Sequence, residues 1–377
     1  MRVINESFIF RQSEGARAVA ESSSADTVVT KPMADGRTIH YYQRRFDGQG
    51  SALKPAVPVI TGGLGYIGQS LAYRLRSQAG TVVIVDRRGI SSQVDGVEIV
   101  RGSVGDSEVW EWIRAHYQIQ SVYHCAGLIS VPESVSEPSR YFQENVVEAV
   151  RMLDHLRQGP PVPLVFSSSA AVYGTPETVP IVESAVKAPL SPYGVTKLHF
   201  EQILAAYFNA YRMPWVGLRY FNAAGHLGPV RELHQPETHV LPLIARAIRG
   251  GSRPAVYGTD YPTPDGSAIR DYIHIADLVE AHVLASDYLL SGGTPTAFNL
   301  GSGKGTSVLE LVDAFARVSG RPLEPELLGR RAGDPPQLVA AIDRAVEALG
   351  WRPTHSNPID TMVEDAWKAS EGMVQGA

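Results

Sequence analysis

Tyr193 and Lys197 stand four residues apart in the segment SPYGVTKLHFEQILAAYFNAYR. On a helix that spacing stacks the two side chains on one face. A phenol with an ordinary pKa near ~10 is a poor base at neutral pH. A neighbouring ammonium favours the phenolate, and a positively charged cofactor ring would favour it further. Tyr193 could then take a proton from a substrate hydroxyl while hydride leaves the same carbon. Apolar or aromatic residues recur at positions 200, 203, 204, 207, 208 and 211, so the segment reads as an amphipathic helix. Tyr193 and Lys197 continue its inward stripe, where a lysine is costly unless it has a partner or a task. Upstream, PLVFSSSAAVYG carries Ser167-Ser168-Ser169 at the end of an apolar run. Functional groups gather at the carboxyl ends of strands in a doubly wound sheet, which places this cluster near the pair.

A second constellation binds rather than reacts. Gly62, Gly65 and Gly68 in TGGLGYIG follow the strand-like VPVIT (57–61) and open a helix expected from about Tyr66 to Ala79. Small residues there let the backbone approach a pyrophosphate, and the helix N-terminus adds N–H groups and a positive dipole end. Asp86 ends the next strand, TVVIVD (81–86). A carboxylate there accepts both ribose hydroxyls and repels a 2′-phosphate, favouring NAD over NADP. Arg87 and Arg88 adjoin it, and arginine is the residue type that would bind that extra phosphate. Gly301-Ser302-Gly303-Lys304-Gly305-Thr306 looks like part of a P-loop, but Phe298 and Gly305 stand where that motif needs Gly and Ser or Thr. It reads as an ordinary turn between a strand and a helix.

The elements that must position these groups alternate. VEIVRG (97–102), SVYHCAG (121–127) and PLVFSSS (163–169) are further apolar, β-branched strands, separated by helical stretches near 107–117 and 138–158. Strands apolar throughout, alternating with helices, imply a parallel sheet covered on both faces. The expected fold is α/β, a doubly wound, Rossmann-type parallel sheet over residues 57–222. Beyond Phe221, loops rich in Pro and Gly alternate with helices near 240–249 and 307–318. That region, 223–377, is expected to be mainly a smaller C-terminal α/β substrate lobe, with some segments returning to the sheet. Residues 1–56 are an extension. The small, polar stretch 11–27 reads as flexible. Val28-Val29-Thr30 and Thr38–Tyr42 flank Asp35-Gly36, a hairpin signal. An isolated hairpin is marginal in water, so it must dock on the main domain or fray.

Composition narrows the class. The 377 residues carry 34 Lys+Arg against 39 Asp+Glu, with no basic stripe of the kind nucleic acid requires. The longest apolar runs are far too short to cross a bilayer. Residues 1–25 lack the apolar core of a secretory signal. One cysteine excludes an internal disulfide and a cysteine-based zinc site and suits a reducing cytosol, so no metal and a cytoplasmic protein are expected.

Together these motifs resemble the extended short-chain dehydrogenase/reductases, and among them the UDP-glucose 4-epimerases, from about Pro58 to Trp367. TGGLGYIG, HCAGL (124–128), FSSSAAVYG (166–174), SPYGVTK (191–197) and LRYFNAAG (218–225) mark the superfamily. PETHVLPLIARA (236–247), VYGTDYPTPDGSAIRDYIHIADL (256–278) and RRAGD (330–334) mark the epimerase branch. The resemblance implies Ser169, Tyr193 and Lys197 as the catalytic set. It implies a tightly bound NAD lined by Gly62, Gly65, Tyr66, Ile67, Gly68, Asp86, Ala126, Gly127, Asn145, Tyr193, Lys197 and Phe221. It implies a UDP-sugar met by Ser169, Asn222, His239, Leu241, Tyr257, Arg270, Arg331, Asp334 and Leu338, the two arginines facing the diphosphate. It also implies a homodimer joined through a helix bundle that includes the Tyr193 helix. The chain departs from the family at Ser103, usually Asp against adenine, at Ile129, usually Lys, and at Ala171, usually Thr. Leu338, of intermediate size, occupies the position that limits the C2 substituent, which leaves N-acetylated sugars open. A 4,6-dehydratase would need an acid and a base where Ala170 and Ala171 stand. A 4-ketoreductase using NAD(P)H and a non-catalytic NAD-binding protein remain the alternatives.

Overall fold

The computed structural model describes residues 26–32, 38–44, 54–89, 91–231, 239–331 and 334–370. Its strands, in chain order, are β1 (Asp26–Pro32), β2 (Thr38–Arg44), β3 (Ala56–Thr61), β4 (Val83–Asp86), β5 (Glu98–Arg101), β6 (Gln118–His124), β7 (Leu164–Ser169) and β8 (Trp215–Tyr220). They continue with β9 (Asn222–Ala224), β10 (Ala255–Tyr257), β11 (Ile269–His274), β12 (Thr296–Leu300), β13 (Gly305–Ser307), β14 (Glu326–Leu328) and β15 (Gln337–Leu338). The large sheet runs in the order β1-β2-β5-β4-β3-β6-β7-β8-β12. From β5 to β12 every pairing is parallel. The chain order reverses between β3 and β6, and the crevice at such a switch point is where open α/β sheets bind ligands.

Alternation along the strands divides the core into two layers. Ile60, Ile84 and Val216 face a layer built by the helices Tyr66–Arg76 and Ile275–Leu290, with Leu71, Leu75, Leu278 and Trp351. Val59, Val83 and Val85 face the opposite layer, from Ser107–His116, Glu148–Leu156 and Pro192–Tyr211, with Trp110, Met152 and Phe200. Apolar character on both faces is therefore a packing requirement. The helix Ile275–Leu290 escapes a search for amphipathic periodicity for the same kind of reason. Ile275, Leu278, Val279, Ala281, Val283 and Ala285 are all buried, leaving little polar face.

The smaller lobe has its own core. Leu241, Ile244, Leu311, Phe315, Met362 and Val363 join the helices Val240–Arg249, Val308–Ser319 and Ile359–Ala369. Strands β13, β11 and β15 form a small sheet, with β9 alongside β11. Because β12 and Ile275–Leu290 lie with the large sheet, the chain crosses between lobes more than once.

Strands β1 and β2 pair antiparallel, and β2 joins the free edge of β5 at Tyr41↔Val100. The Asp35-Gly36 turn between them, and most of the stretch 11–27 read as flexible, lie outside the described residues. Two sequence expectations shift. The strand expected at 121–127 is β6, ending at His124, because the chain leaves the sheet there. The 301–306 segment joins two strands, β12 and β13, before its helix begins. Its backbone is occupied by protein: the N–H groups of Ser302 and Gly303 donate to Asp271 at 2.6 and 3.2 Å. Among the described residues, no helix is long and apolar enough to cross a membrane.

Candidate active site

The glycine turn is shaped by backbone contact. Gly62 has φ +66°, and a Cβ there would lie 2.6 Å from the Cα of Ala126. A Cβ on Gly68 would lie 2.5 Å from the carbonyl oxygen of Gly62. The turn thus presses the helix Tyr66–Arg76 against the β3 and β6 ends, and no side chain caps that helix at Gly65. This is a cradle only glycine allows, and it suits the pyrophosphate of NAD. Asp86 accepts the Leu64 N–H at 3.0 Å, so the carboxylate expected to meet the ribose is tied to the turn. Its oxygens also take the Arg88 guanidinium at 3.1 Å, while Arg87 pairs with Glu144. Both arginines are thereby neutralised by carboxylates, which removes the argument for a 2′-phosphate.

Tyr66 donates its hydroxyl to the Gly225 carbonyl at 2.6 Å, and Ile67 packs into the core. Ala126 and Gly127 leave β6 beside the turn. Asn145 sits in a π-helical turn, Gln143–Val147, and its amide is fully engaged. It accepts the Leu128 N–H at 2.7 Å and donates to the Leu128 carbonyl at 3.0 Å and to the Thr196 hydroxyl at 3.2 Å. The side chain holds the Gly127–Leu128 backbone in place and ties it to the catalytic helix. Ser103, at the family's aspartate position, donates its hydroxyl to Glu148 at 2.6 Å.

Tyr193 and Lys197 are both buried on the helix Pro192–Tyr211, 8% and 4% exposed. The helix starts at Ser191, whose hydroxyl accepts the Gly194 N–H at 3.2 Å. Lys197 donates to the Ser167 carbonyl at 2.8 Å, and its Nζ lies 5.7 Å from the centre of the Tyr193 ring. Burial lowers the Lys197 pKa to about 8, with Cys125 and Glu201 acting in the opposite direction. Burial raises the Tyr193 phenol, and a hydrogen bond with Ser169 acts against it. This differs from the sequence expectation of a depressed phenol. Here dehydration outweighs charge, because the ammonium is directed at a carbonyl. Cys125 is held up at about 11 by burial, an inert thiol beside Ser167. The partner that fixes Lys197 escaped sequence reasoning because it is a backbone oxygen, which leaves no residue-type signal.

The substrate-side residues gather on the lobe facing this site. Phe221 and Leu338 share a cluster with Val172, Tyr173, Ile181 and Ala340. Leu338 is the register partner of Arg270, and Asn222 of Tyr272, so the small sheet sets three of the expected contacts side by side. Asn222 is exposed and donates to the Asp271 carbonyl at 2.9 Å. Arg270 is paired with Asp334 at 2.8 Å. Arg331 is exposed, its guanidinium 3.9 Å from the centre of the Tyr257 ring. His239 precedes the helix Val240–Arg249 and accepts the Leu243 N–H. Leu241 differs from a simple contact residue. The residue is 2% exposed and its side chain packs in the lobe core. Residues 332–333, within the RRAGD motif, and 236–238, which open PETHVLPLIARA, lie outside the described residues.

Known proteins resemble this chain in sequence and fold. The model of the NAD dependent epimerase/dehydratase family matches residues 59–301. A UDP-glucose 4-epimerase of Halalkalibacterium halodurans is 40% identical over 314 residues, covering 82% of this chain and 94% of that protein. The crystal structure of UDP-glucose 4-epimerase from Brucella ovis in complex with NAD is 40% identical, with a TM-score of 0.79 over 83% of this chain and 98% of that one. The enzyme from Bifidobacterium longum, in complex with NAD+ and UDP, is 34% identical with a TM-score of 0.75, covering 83% and 98%. The chain belongs to the UDP-glucose 4-epimerase family, within the NAD dependent epimerase/dehydratases.

Proposed function

We propose that this protein is an NAD-dependent 4-epimerase of a UDP-hexose, working through a transient 4-keto sugar. The observation that carries the reading is the buried Tyr193–Lys197 pair with half-buried Ser169, beside the glycine turn, and Arg270 and Arg331 on the smaller lobe. NAD, when bound, supplies a reversible hydride acceptor and a positively charged ring. The Tyr193 hydroxyl, once ionised, takes the proton of the C4 hydroxyl and later returns it. Ser169 shares a hydrogen bond with Tyr193 and would hold the same substrate oxygen. Lys197 keeps a positive charge under the site, anchored on the Ser167 carbonyl. Arg270 and Arg331 offer planar, multivalent donors to the diphosphate, with Asp334 orienting Arg270 and Tyr257 supporting Arg331. Asn222 and His239 would complete the nucleotide-sugar contacts.

Leu338 sets the room beside the sugar, so both the glucose/galactose and the N-acetylated pairs enter the test. Purified protein, incubated with each UDP-hexose without added cofactor, is expected to interconvert at least one pair. A stoichiometric demand for NADPH would identify a ketoreductase instead. We also propose a cytoplasmic homodimer. Val131, Val135 and Val147 on the helices of 131–156, and Tyr211 at the end of the catalytic helix, are large apolar groups left exposed. Val135→Asp is expected to convert a sedimenting dimer to monomer; an unchanged dimer would place the interface elsewhere.

A further inference from the structure

A buried ion pair beneath the catalytic helix has no part in the chemistry above. Glu201, 4% exposed, lies one turn beyond Lys197 on the same helix. Arg219 of β8, 6% exposed, grips it with Nε–Oε1 at 2.9 Å and Nη2–Oε2 at 2.5 Å. Arg219 also donates to the Tyr173 hydroxyl at 2.9 Å and the Glu183 carbonyl at 3.2 Å. Tyr173 in turn donates to Asn299 at 2.7 Å. Such a pair is expensive to desolvate, so its retention asks for a reason beyond stability.

The reason lies in what else Glu201 holds. Ser168, fully buried, donates its hydroxyl to Glu201 Oε1 at 2.5 Å. Ser168 is the middle residue of the β7 end. Its predecessor, Ser167, gives the carbonyl that anchors Lys197, and its successor, Ser169, shares the hydrogen bond with Tyr193. We infer that Glu201, held by Arg219, is a positioning residue that locks the β7 end through Ser168 and thereby sets where Lys197 and Tyr193 stand. Alternation along the strand turns the Ser168 hydroxyl to the helix Pro192–Tyr211, while its neighbours reach Lys197 through the Ser167 carbonyl and Tyr193 through the Ser169 hydroxyl. The other titratable groups facing the pair are Tyr173, Glu183 and Lys187, while His124 and Cys125 at the β6 end adjoin Lys197 and are kept neutral near pH 7 by burial.

The inference rests on the epimerase reading for its rate prediction but has a readout that does not. Ser168→Ala removes the link and leaves the Glu201–Arg219 pair intact, so the fold is expected to persist. In the NAD-loaded protein, Tyr193 ionisation is followed by tyrosinate absorbance against Tyr193→Phe as blank. Its midpoint is expected to rise by about one pH unit in Ser168→Ala, a tenfold loss of phenolate. The kcat should fall about tenfold with KM for the UDP-hexose unchanged, because the change acts on ionisation rather than binding. Glu201→Gln, which keeps an acceptor for Ser168 but removes the charge, should move the loss of activity at high pH to lower pH, as Lys197 gives up its proton sooner. An unchanged Tyr193 midpoint in Ser168→Ala overturns the inference, whatever the substrate. A shifted midpoint in a protein that interconverts no UDP-hexose sustains it and overturns the epimerase reading instead.

Discussion

On the function proposed, the two sides of the crevice would hold their ligands by opposite means. On the sheet side, recognition is made of main chain: Gly62 and Gly68 bring backbone to backbone, and Asp86 is strapped to the turn by the Leu64 N–H. On the lobe side it would be made of long side chains, Arg270 on β11 and Arg331 on a loop, steadied by Asp334 and Tyr257. A backbone cradle tolerates no added atom, so it is rigid and suits a cofactor that stays. Long side chains can release and re-form their contacts, which suits a substrate that must enter, turn over and leave. Between the two, the Tyr193–Lys197 helix is proposed to act on the substrate while adjoining the cofactor site.

Four experiments separate these roles. Tyr193→Phe touches neither means of binding and should lower kcat by about a thousandfold while NAD content and substrate KM stay near those of the native protein. Residual turnover near the native rate would remove Tyr193 from the proton path. Gly68→Ala attacks the cradle, and NAD retained after gel filtration should fall to a small fraction, roughly a hundredfold loss of affinity for about 2–3 kcal/mol of overpacking. If NAD stays bound, the turn is more compliant than its contacts imply. Arg270→Ala should leave NAD in place and raise KM for the UDP-hexose by about ten- to fiftyfold, the loss of a charged hydrogen bond worth roughly 1.5–2.5 kcal/mol. Loss of NAD in that variant would collapse the distinction between the sides. The gentlest test is pH. Because burial brings Lys197 to about 8, its ammonium is fully present below that value and is lost as pH rises through it. The kcat should therefore decline above about pH 8 with NAD still bound; a rate that holds well above it would show that Lys197 acts uncharged.

Much of the sheet side was legible in the sequence, and for one reason. A glycine that no other residue can replace, or an acid that must end a strand, is written in residue type. Tyr193 and Lys197 were legible by helical spacing, and the Asp35-Gly36 signal by its flanking β-branched runs. What stayed hidden depends on partners far apart in the chain. Lys197 meets a carbonyl, which every residue has. Glu201 belongs to no motif of the sequence, although β8 brings Arg219 to it in the interior. Leu241 read as a ligand contact, and its side chain instead completes the lobe core. The helix Ile275–Leu290 was hidden by being buried on most sides, where periodicity carries no signal.

The N-terminal strands alter the perimeter of the molecule. Without them β5 would be the last strand of the parallel sheet, a row of unpaired peptide groups beside the cofactor turn. With β2 laid against it, the outermost strand becomes β1, which ends in Pro32, a residue with no N–H to offer an incoming chain. A leader that adds nothing to the chemistry can thus act as a selvedge, the finished border that keeps a woven sheet from unravelling into its neighbours. Expression vectors that begin the chain at Lys54 would discard that border, and the expected cost is a lower concentration at which the protein stays dispersed, with turnover per molecule unaltered.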